Sequence, residues 1–444
     1  MIKVTIPNNY LPERKYSVSV ILEHILGLKI QITESDLVND YILEFGSSSL
    51  TIKDSFFSKV GDDYLSIENI PKSSHTLLNE YTDRCELIFG EDVIHETGDN
   101  VLECHIDVFA STFFMLSRWE EACIVQKDNH GRTVEKEMFA VKHNLHHRPI
   151  VNEWVELLWK LLLNLGYNEK RKDHKYSLRI THDVDAVARY DSVKKLIHAL
   201  GGDLILRKNP FLMFETLWQY LLVNLGLRRD NYDTTDWLMD ISEEFKTKSH
   251  FYFIPSLPNE HDSRYDIQSS QLSRILENIE NRNHVVGIHP SYNTFLKPSQ
   301  FSIEVERLRN VAQNVQEGRQ HYLRFSNPET WDMWNENGLT IDSTVGFALN
   351  VGFRAGICQD YPVFNITKRE KLNLIERPLV IMEGPLVNSY NGNAESLRIA
   401  KQLVDECKKY NGEFVFLWHP ENFNHRLWKS RTPLYRQILQ YAKA

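Results

Sequence analysis

"RITHDVDAV", Arg179–Val187, is the stretch on which the fold of this chain turns. It continues the apolar run that opens at Tyr176 and closes it with His182, Asp183, Val184 and Asp185. Side chains alternate along a strand, so Asp183 and Asp185 project toward the same mouth. Two carboxylates held together repel unless a cation or a proton comes between them. A solvated turn after a strand is the plain reading of these residues; the acidic end of a catalytic site is the sharper one.

Outward from this stretch, strands alternate with helices. "SHFYFIPS" is rich in strand-forming aromatics, and "RNHVVGIHPS", "RQHYLRFS", "LTIDSTVGF", "NLIERPLVIM" and "GEFVFLWHP" follow as further strands. Between them, Leu272, Ile275, Leu276 and Ile279 form an apolar stripe at helical spacing, and Val305, Leu308, Val311 and Val315 form another with Gly318 as its stop. "SNPETWDMWNENG" carries Pro328 in its first turn and Gly338 at its end, and "AESLRIAKQLVDECKKYNG" ends at Gly412. About seven strands linked in this way predict a parallel sheet with helical crossovers, closed or nearly closed into a barrel. Chemistry in such folds gathers at the C-terminal ends of the strands.

Polar residues stand at those ends here. "HVVGIHPS" delivers His289, followed by Tyr292 and Asn293, and "EFVFLWHP" delivers His419. A lone histidine at a strand end is usually structural, and a lone Asp-Val-Asp is usually a turn. Their joint placement at the same end of successive strands points to a site.

The succession "THDVD", "GIHPSYN", "YLRFSNP", "FLWHP" resembles the polysaccharide deacetylase superfamily (carbohydrate esterase family 4), most of all its divergent bacterial members found with surface-polysaccharide synthesis. The resemblance covers roughly residues 175–430. It implies a distorted (β/α)7 barrel over 175–444, preceded by a smaller α+β domain of unknown role over 1–170, and a divalent metal, zinc first, with cobalt, manganese or nickel as alternatives. It also implies removal of an N- or O-acetyl group from a carbohydrate. On the family pattern Asp183 matches the catalytic base, Asp185 and His289 are metal ligands, and Asn293 stands where the second metal histidine would be. Arg324 resembles the arginine that orients the base, with Arg354 in "GFRAG" as a second candidate, and His419 the general acid; Tyr292, Arg354 and Trp418 are candidate substrate contacts.

Two departures from the pattern matter. Val184 occupies the usual position of the metal-binding aspartate, and an asparagine is a poorer zinc ligand than imidazole. His182, His284 or His321 could complete a different ligand set. These departures favour a rival, a metal-free barrel serving as a glycan-binding or assembly module. A third reading, glycoside hydrolysis, needs a second carboxylate across the cleft, such as Glu376 or Asp342.

The rest of the chain sets limits. Sixty acidic against 51 basic residues give a net charge of −9, which argues against a nucleic-acid partner. Neither a secretory leader nor a membrane span of about 18 apolar residues is read, so a cytoplasmic location is expected. Five cysteines without a CxxC pair read as reduced core thiols. His143, His146 and His147 lack an acidic companion at ligand spacing and read as a solvated loop. Before residue 170, Phe113, Phe114, Leu116 and Trp119 predict an apolar helical face, and Trp154, Leu157, Leu158, Leu161 and Leu162 a helix that closes the first domain. "NPFLMFETLWQYLLVNLGLRRD" is longer and more apolar than a plain crossover helix. Packing against the first domain is expected of it, with a lid over a glycan or peripheral membrane contact as alternatives.

Overall fold

Strand endings set in one row are what this fold supplies to its site. The computed structural model describes residues 1–61, 63–190, 193–257, 262, 265–424, 428 and 430–444. The chain is mixed α/β, and its contacts group it into two units. One holds residues 1–177, 322–389 and 398–415; the other holds 178–321, 390–397 and 416–444. The chain therefore passes between these contact units at several places.

In the first unit, a six-stranded mixed sheet runs in the order Ile30–Ser35, Ile2–Pro7, Tyr41–Phe45, Ser48–Ile52, Val101–Ile106, Gly90–Gly98. Helices Val108–Ser117 and Ile150–Asn164 pack on each other and bury the aromatic and leucine faces the sequence predicts. Arg118, at φ 53°, breaks the first of these from the short helix Trp119–Cys123, because a left-handed residue cannot continue a right-handed helix.

The second unit carries the parallel strands Ser177–Val184, Ser249–Phe253, Val285–Ile288 and Glu317–Gly318 as consecutive neighbours. Their register is the important fact: Phe253 pairs with both Val184 and Ile288, and Ile288 pairs with Gly318. The residues that follow, Asp185, His289 and Arg319, therefore leave the sheet at one level. The Glu413–Leu417 strand adjoins Ser177–Val184, where the Trp418 N–H donates to the Thr181 carbonyl at 3.2 Å. Phe251 and Phe253 are fully buried, each contributing about 1.5–3 kcal/mol. Gly287 is required, since a Cβ there would lie 2.4 Å from the Glu317 carbonyl oxygen.

The strand order is linear, and among the described residues no pairing returns it on itself. The parallel sheet with helical crossovers is present; closure into a seven-stranded barrel is not seen. Two elements differ from expectation. The "RQHYLRFS" strand is replaced by the two-residue strand Glu317–Gly318 and a tight turn, because Tyr322 and Leu323 adopt φ of 60° and 51°. The helix expected to reach Gly318 spans Pro298–Arg309, leaving Val315 to be buried in the connection that follows and Val311 half-buried.

Candidate metal centre

Alternation along Ser177–Val184 divides its last residues between two faces. His182 turns inward, fully buried and stacked on Phe251 at 4.9 Å. Its Nδ1 meets the Trp418 carbonyl at 2.7 Å and burial pushes its pKa down to about 3, so the ring is a neutral core histidine. His284 is equally engaged: its Nδ1 accepts the Ser249 N–H at 2.8 Å and its Nε2 meets Glu243 at 3.2 Å. Neither is free to serve as a ligand.

Thr181, Asp183 and Asp185 face the other way. Asp183 is almost fully buried, and its Oδ1 accepts from Nη1 of Arg319 at 2.8 Å; the same nitrogen donates to Thr181 Oγ1 at 3.1 Å. The Arg319 guanidinium lies over the Tyr252 ring at 5.2 Å, and Tyr252 donates to Glu317 at 2.9 Å. Asp183 is thus held by a side chain that is itself locked in place.

Asp185, one pleat further on, meets three imidazoles. Its Oδ1 lies 3.6 Å from His289 Nε2 and 3.5 Å from His321 Nε2, and its Oδ2 lies 3.9 Å from His419 Nε2. Burial would raise the Asp185 pKa, but His321, His419 and His289 outweigh it and hold the carboxyl well below the usual range. One atom each of Asp185, His289 and His321 fall within 4.8 Å of one another, a grouping able to hold a metal ion.

The outer partners hold both rings in place. His289 Nδ1 sits 2.6 Å from the Arg319 carbonyl, which can only accept, so Nδ1 carries the proton. Burial pushes His289 down to about 4, leaving a neutral ring whose Nε2 lone pair points inward. His321 Nδ1 meets the Asp262 carboxylate at 3.1 Å, a carboxylate–histidine arrangement that fixes a ligand ring. Burial opposes charge on His321, but Asp185 and Asp262 raise it to about 9. Asp185 Oδ1 and His289 Nε2 are buried and lack a hydrogen-bond partner, which is costly for polar atoms unless an ion completes them. The donor set, one carboxylate and two imidazoles, suits zinc and similar divalent ions.

The structure therefore brings together Asp183, Asp185, His289 and His419, and separates off other candidates. Asn293 is exposed on the Tyr292–Thr294 turn and lines a cavity of about 530 Å³ with Pro255, Ser256, Ser291 and Lys297. Its proposed place as a ligand is better filled by His321. Tyr292 is half-buried, and its backbone N–H donates to Asp262. Arg319, not Arg324, holds Asp183; Arg324 donates from Nε to the His130 carbonyl at 2.6 Å. Arg354 is a buried structural residue, paired through Nε with Glu121 at 3.1 Å and through Nη1 with the Gly346 carbonyl at 2.8 Å. Trp418 is fully buried, stacked on Phe423 at 5.4 Å and set against Tyr435 at 5.5 Å, so it is core and not a substrate contact. Glu376 and Asp342 are fully buried; Glu376 is engaged by Trp331 Nε1 at 3.0 Å and Asp342 by the Thr344 N–H at 3.0 Å. Neither presents a carboxylate to a cleft.

Arg319 and Asp262 were missed by sequence reasoning. The signal for Arg319 was its place directly after a strand end, hidden because the strand was placed several residues too late. Asp262 carried no local signal.

Comparison with known proteins adds the following. Residues 2–167 match the model of a family of unknown function (DUF7033). No curated protein matches the chain. Among solved structures, a crystal structure described as "putative polysaccharide deacetylase from Mycobacterium smegmatis" matches with a TM-score of 0.37 and 13% identity, covering 62% of this chain and 85% of that one.

Proposed function

We propose that the protein is a metal-dependent hydrolase that removes an acetyl group from a carbohydrate, in the synthesis of a surface polysaccharide. The observation that carries this reading is the convergence of Asp185, His289 and His321 within 4.8 Å beside an Arg319-held Asp183. The motif order from "THDVD" to "FLWHP" supports it. So does the answer His321 gives to the departure at Asn293: with a second imidazole supplied from another strand end, the case for a metal-free module loses its main feature.

Asp185, His289 and His321 would hold the ion, zinc first. When bound, a divalent ion there supplies Lewis acidity toward the acetyl carbonyl and its attacking water. Asp183 takes the water's proton; Arg319 keeps that carboxylate aimed. His419, less buried than the other site histidines and lying across Asp185, returns a proton to the leaving amine or alkoxide. The cavity lined by Asn293, Ser256 and Lys297 follows the same strand ends and offers polar groups to a sugar. A cytoplasmic location remains the expectation; among the described residues, no helix is long and apolar enough to cross a membrane.

Acetate release from acetylated aminosugar oligomers tests the proposal. Turnover that chelation abolishes and zinc restores is expected. Turnover unaffected by chelation, or absent from metal-loaded protein across N- and O-acetylated sugars, would overturn it.

A further inference from the structure

Between the site strand and the next lies a helical hairpin whose outer face is unlike the rest of the surface. It comprises Val193–Gly201, the turn Gly202–Leu206 and Pro210–Asn224. Buried Asp203 fixes the bend, accepting from Thr216 Oγ1 at 2.7 Å and from Arg207 at 2.6 Å, so the hairpin is a built element.

On the second helix, Thr216 is buried, and Gln219, Tyr220 and Val223 turn to a polar cavity of about 890 Å³. The opposite side carries Phe211, Phe214, Trp218, Leu221 and Leu225, spaced as one helical stripe, and all are exposed, Phe211 by 86% and Trp218 by 56%. Val193 and Ile197 on the first helix and Leu204, Ile205 and Leu206 at the bend are exposed as well. Exposed large apolar residues in such a stripe mark an interaction surface.

Charge identifies the partner. The chain is net acidic at −9, yet from Val193 to Arg229 it carries Lys194, Lys195, Arg207, Lys208, Arg228 and Arg229 against only Asp203 and Glu215. Arg228 and Arg229 line the polar cavity and Arg207 pairs with Asp203, which leaves Lys194, Lys195 and Lys208 as the basic residues beside the exposed aromatics and aliphatics, a combination that fits a lipid surface with anionic headgroups. A helix of 15 residues is about 22 Å long, short of the roughly 30 Å hydrocarbon core, so it lies in the interface and does not span. A second copy fits less well: a two-heptad seam is marginal, and the basic flanks of two copies would repel.

We infer that the hairpin from Val193 to Asn224 docks the protein onto an anionic bilayer. The inference does not depend on the deacetylase reading.

The test is flotation of the full chain with vesicles of phosphatidylcholine and phosphatidylglycerol (7:3) against phosphatidylcholine alone. Binding to the anionic vesicles is expected, weaker on the order of tenfold on the neutral ones. Phe211→Ser with Trp218→Ser, and separately Lys194→Glu with Lys195→Glu, are expected to leave the protein in the soluble fraction with an unchanged circular dichroism spectrum. No flotation of the wild type, equal binding to both vesicle types, or a dimer in light scattering that the Phe211/Trp218 variant dissociates would overturn the inference. The wild-type comparison of the two vesicle types stands even if a variant fails to fold.

Discussion

Arg319 touches two members of the site by two different groups: Nη1 donates to Asp183 Oδ1 at 2.8 Å, while its carbonyl lies 2.6 Å from His289 Nδ1. One residue thus orients the proposed base and fixes the tautomer of a proposed ligand. Its side chain and its backbone can be separated by mutation. Arg319→Met should preserve metal uptake, because the carbonyl remains, while lowering turnover roughly 10²–10⁴-fold through the misplaced carboxylate. Arg324→Ala should leave turnover within a few-fold of wild type. Comparable losses in both, measured as kcat for acetate release, would show that Arg319 has no special role.

Asp183 and Asp185 have different partners and should give different signatures. Asp183→Asn is expected to retain the ion and lose turnover, since an amide cannot take a proton from water at neutral pH. Asp185→Asn is expected to lose both, because a neutral amide oxygen holds a divalent ion less well than a carboxylate. Metal content and acetate release on the same preparations check this; the reverse pattern would exchange the roles.

His321 and Asn293 compete for one place in the ligand set. Loss of metal is expected in His321→Ala, and full retention in Asn293→Ala, whose exposed side chain lines the neighbouring cavity. Asp262→Asn should weaken metal affinity about 10–100-fold, the usual effect of removing a histidine's outer partner. Titration with zinc against a chromophoric chelator measures all three, and normal affinity in His321→Ala would remove it from the set.

Arg354 belongs to stability. It and Arg118 clamp the buried Glu121; burial raises the Glu121 pKa, but the two guanidinium groups outweigh this and lower it to about 2. A carboxyl depressed on folding contributes stability fully present above its unfolded value of about 4.3 and lost as pH falls toward 2. Arg354→Ala should therefore cost about 3–5 kcal/mol at pH 7, with a smaller difference from wild type as the pH drops below about 4. Urea unfolding at pH 7 and pH 3 checks it; a pH-independent difference would contradict the ion-pair account.

Much of this was legible in the sequence because it follows short-range rules. Alternation placed Asp183 and Asp185 on one face, though His182 still read as a possible ligand, and helical spacing found the Ser270–Asn281 helix with its buried Leu272, Leu276 and Ile279. What stayed hidden depends on long-range pairing. The two-residue strand Glu317–Gly318 is too short to show a period, so Arg319 and His321 could not be placed at a strand end, and Arg324 took the arginine's role by proximity to "YLRFSNP". Arg354 and Trp418 look available in sequence because nothing local reveals Glu121 or Tyr435 as their partners. The hairpin's apolar stripe was visible, but apolar residues at helical spacing ordinarily mean burial, and only its exposure reverses that expectation.

Isothermal titration of metal-stripped protein with zinc at pH 7.5, wild type beside Asp185→Asn and His321→Ala, tests the metal centre most directly. One ion bound per chain in the wild type, with that binding lost in both variants, is the predicted result. No saturable binding in the wild type, or one-to-one binding unchanged in both variants, would contradict it.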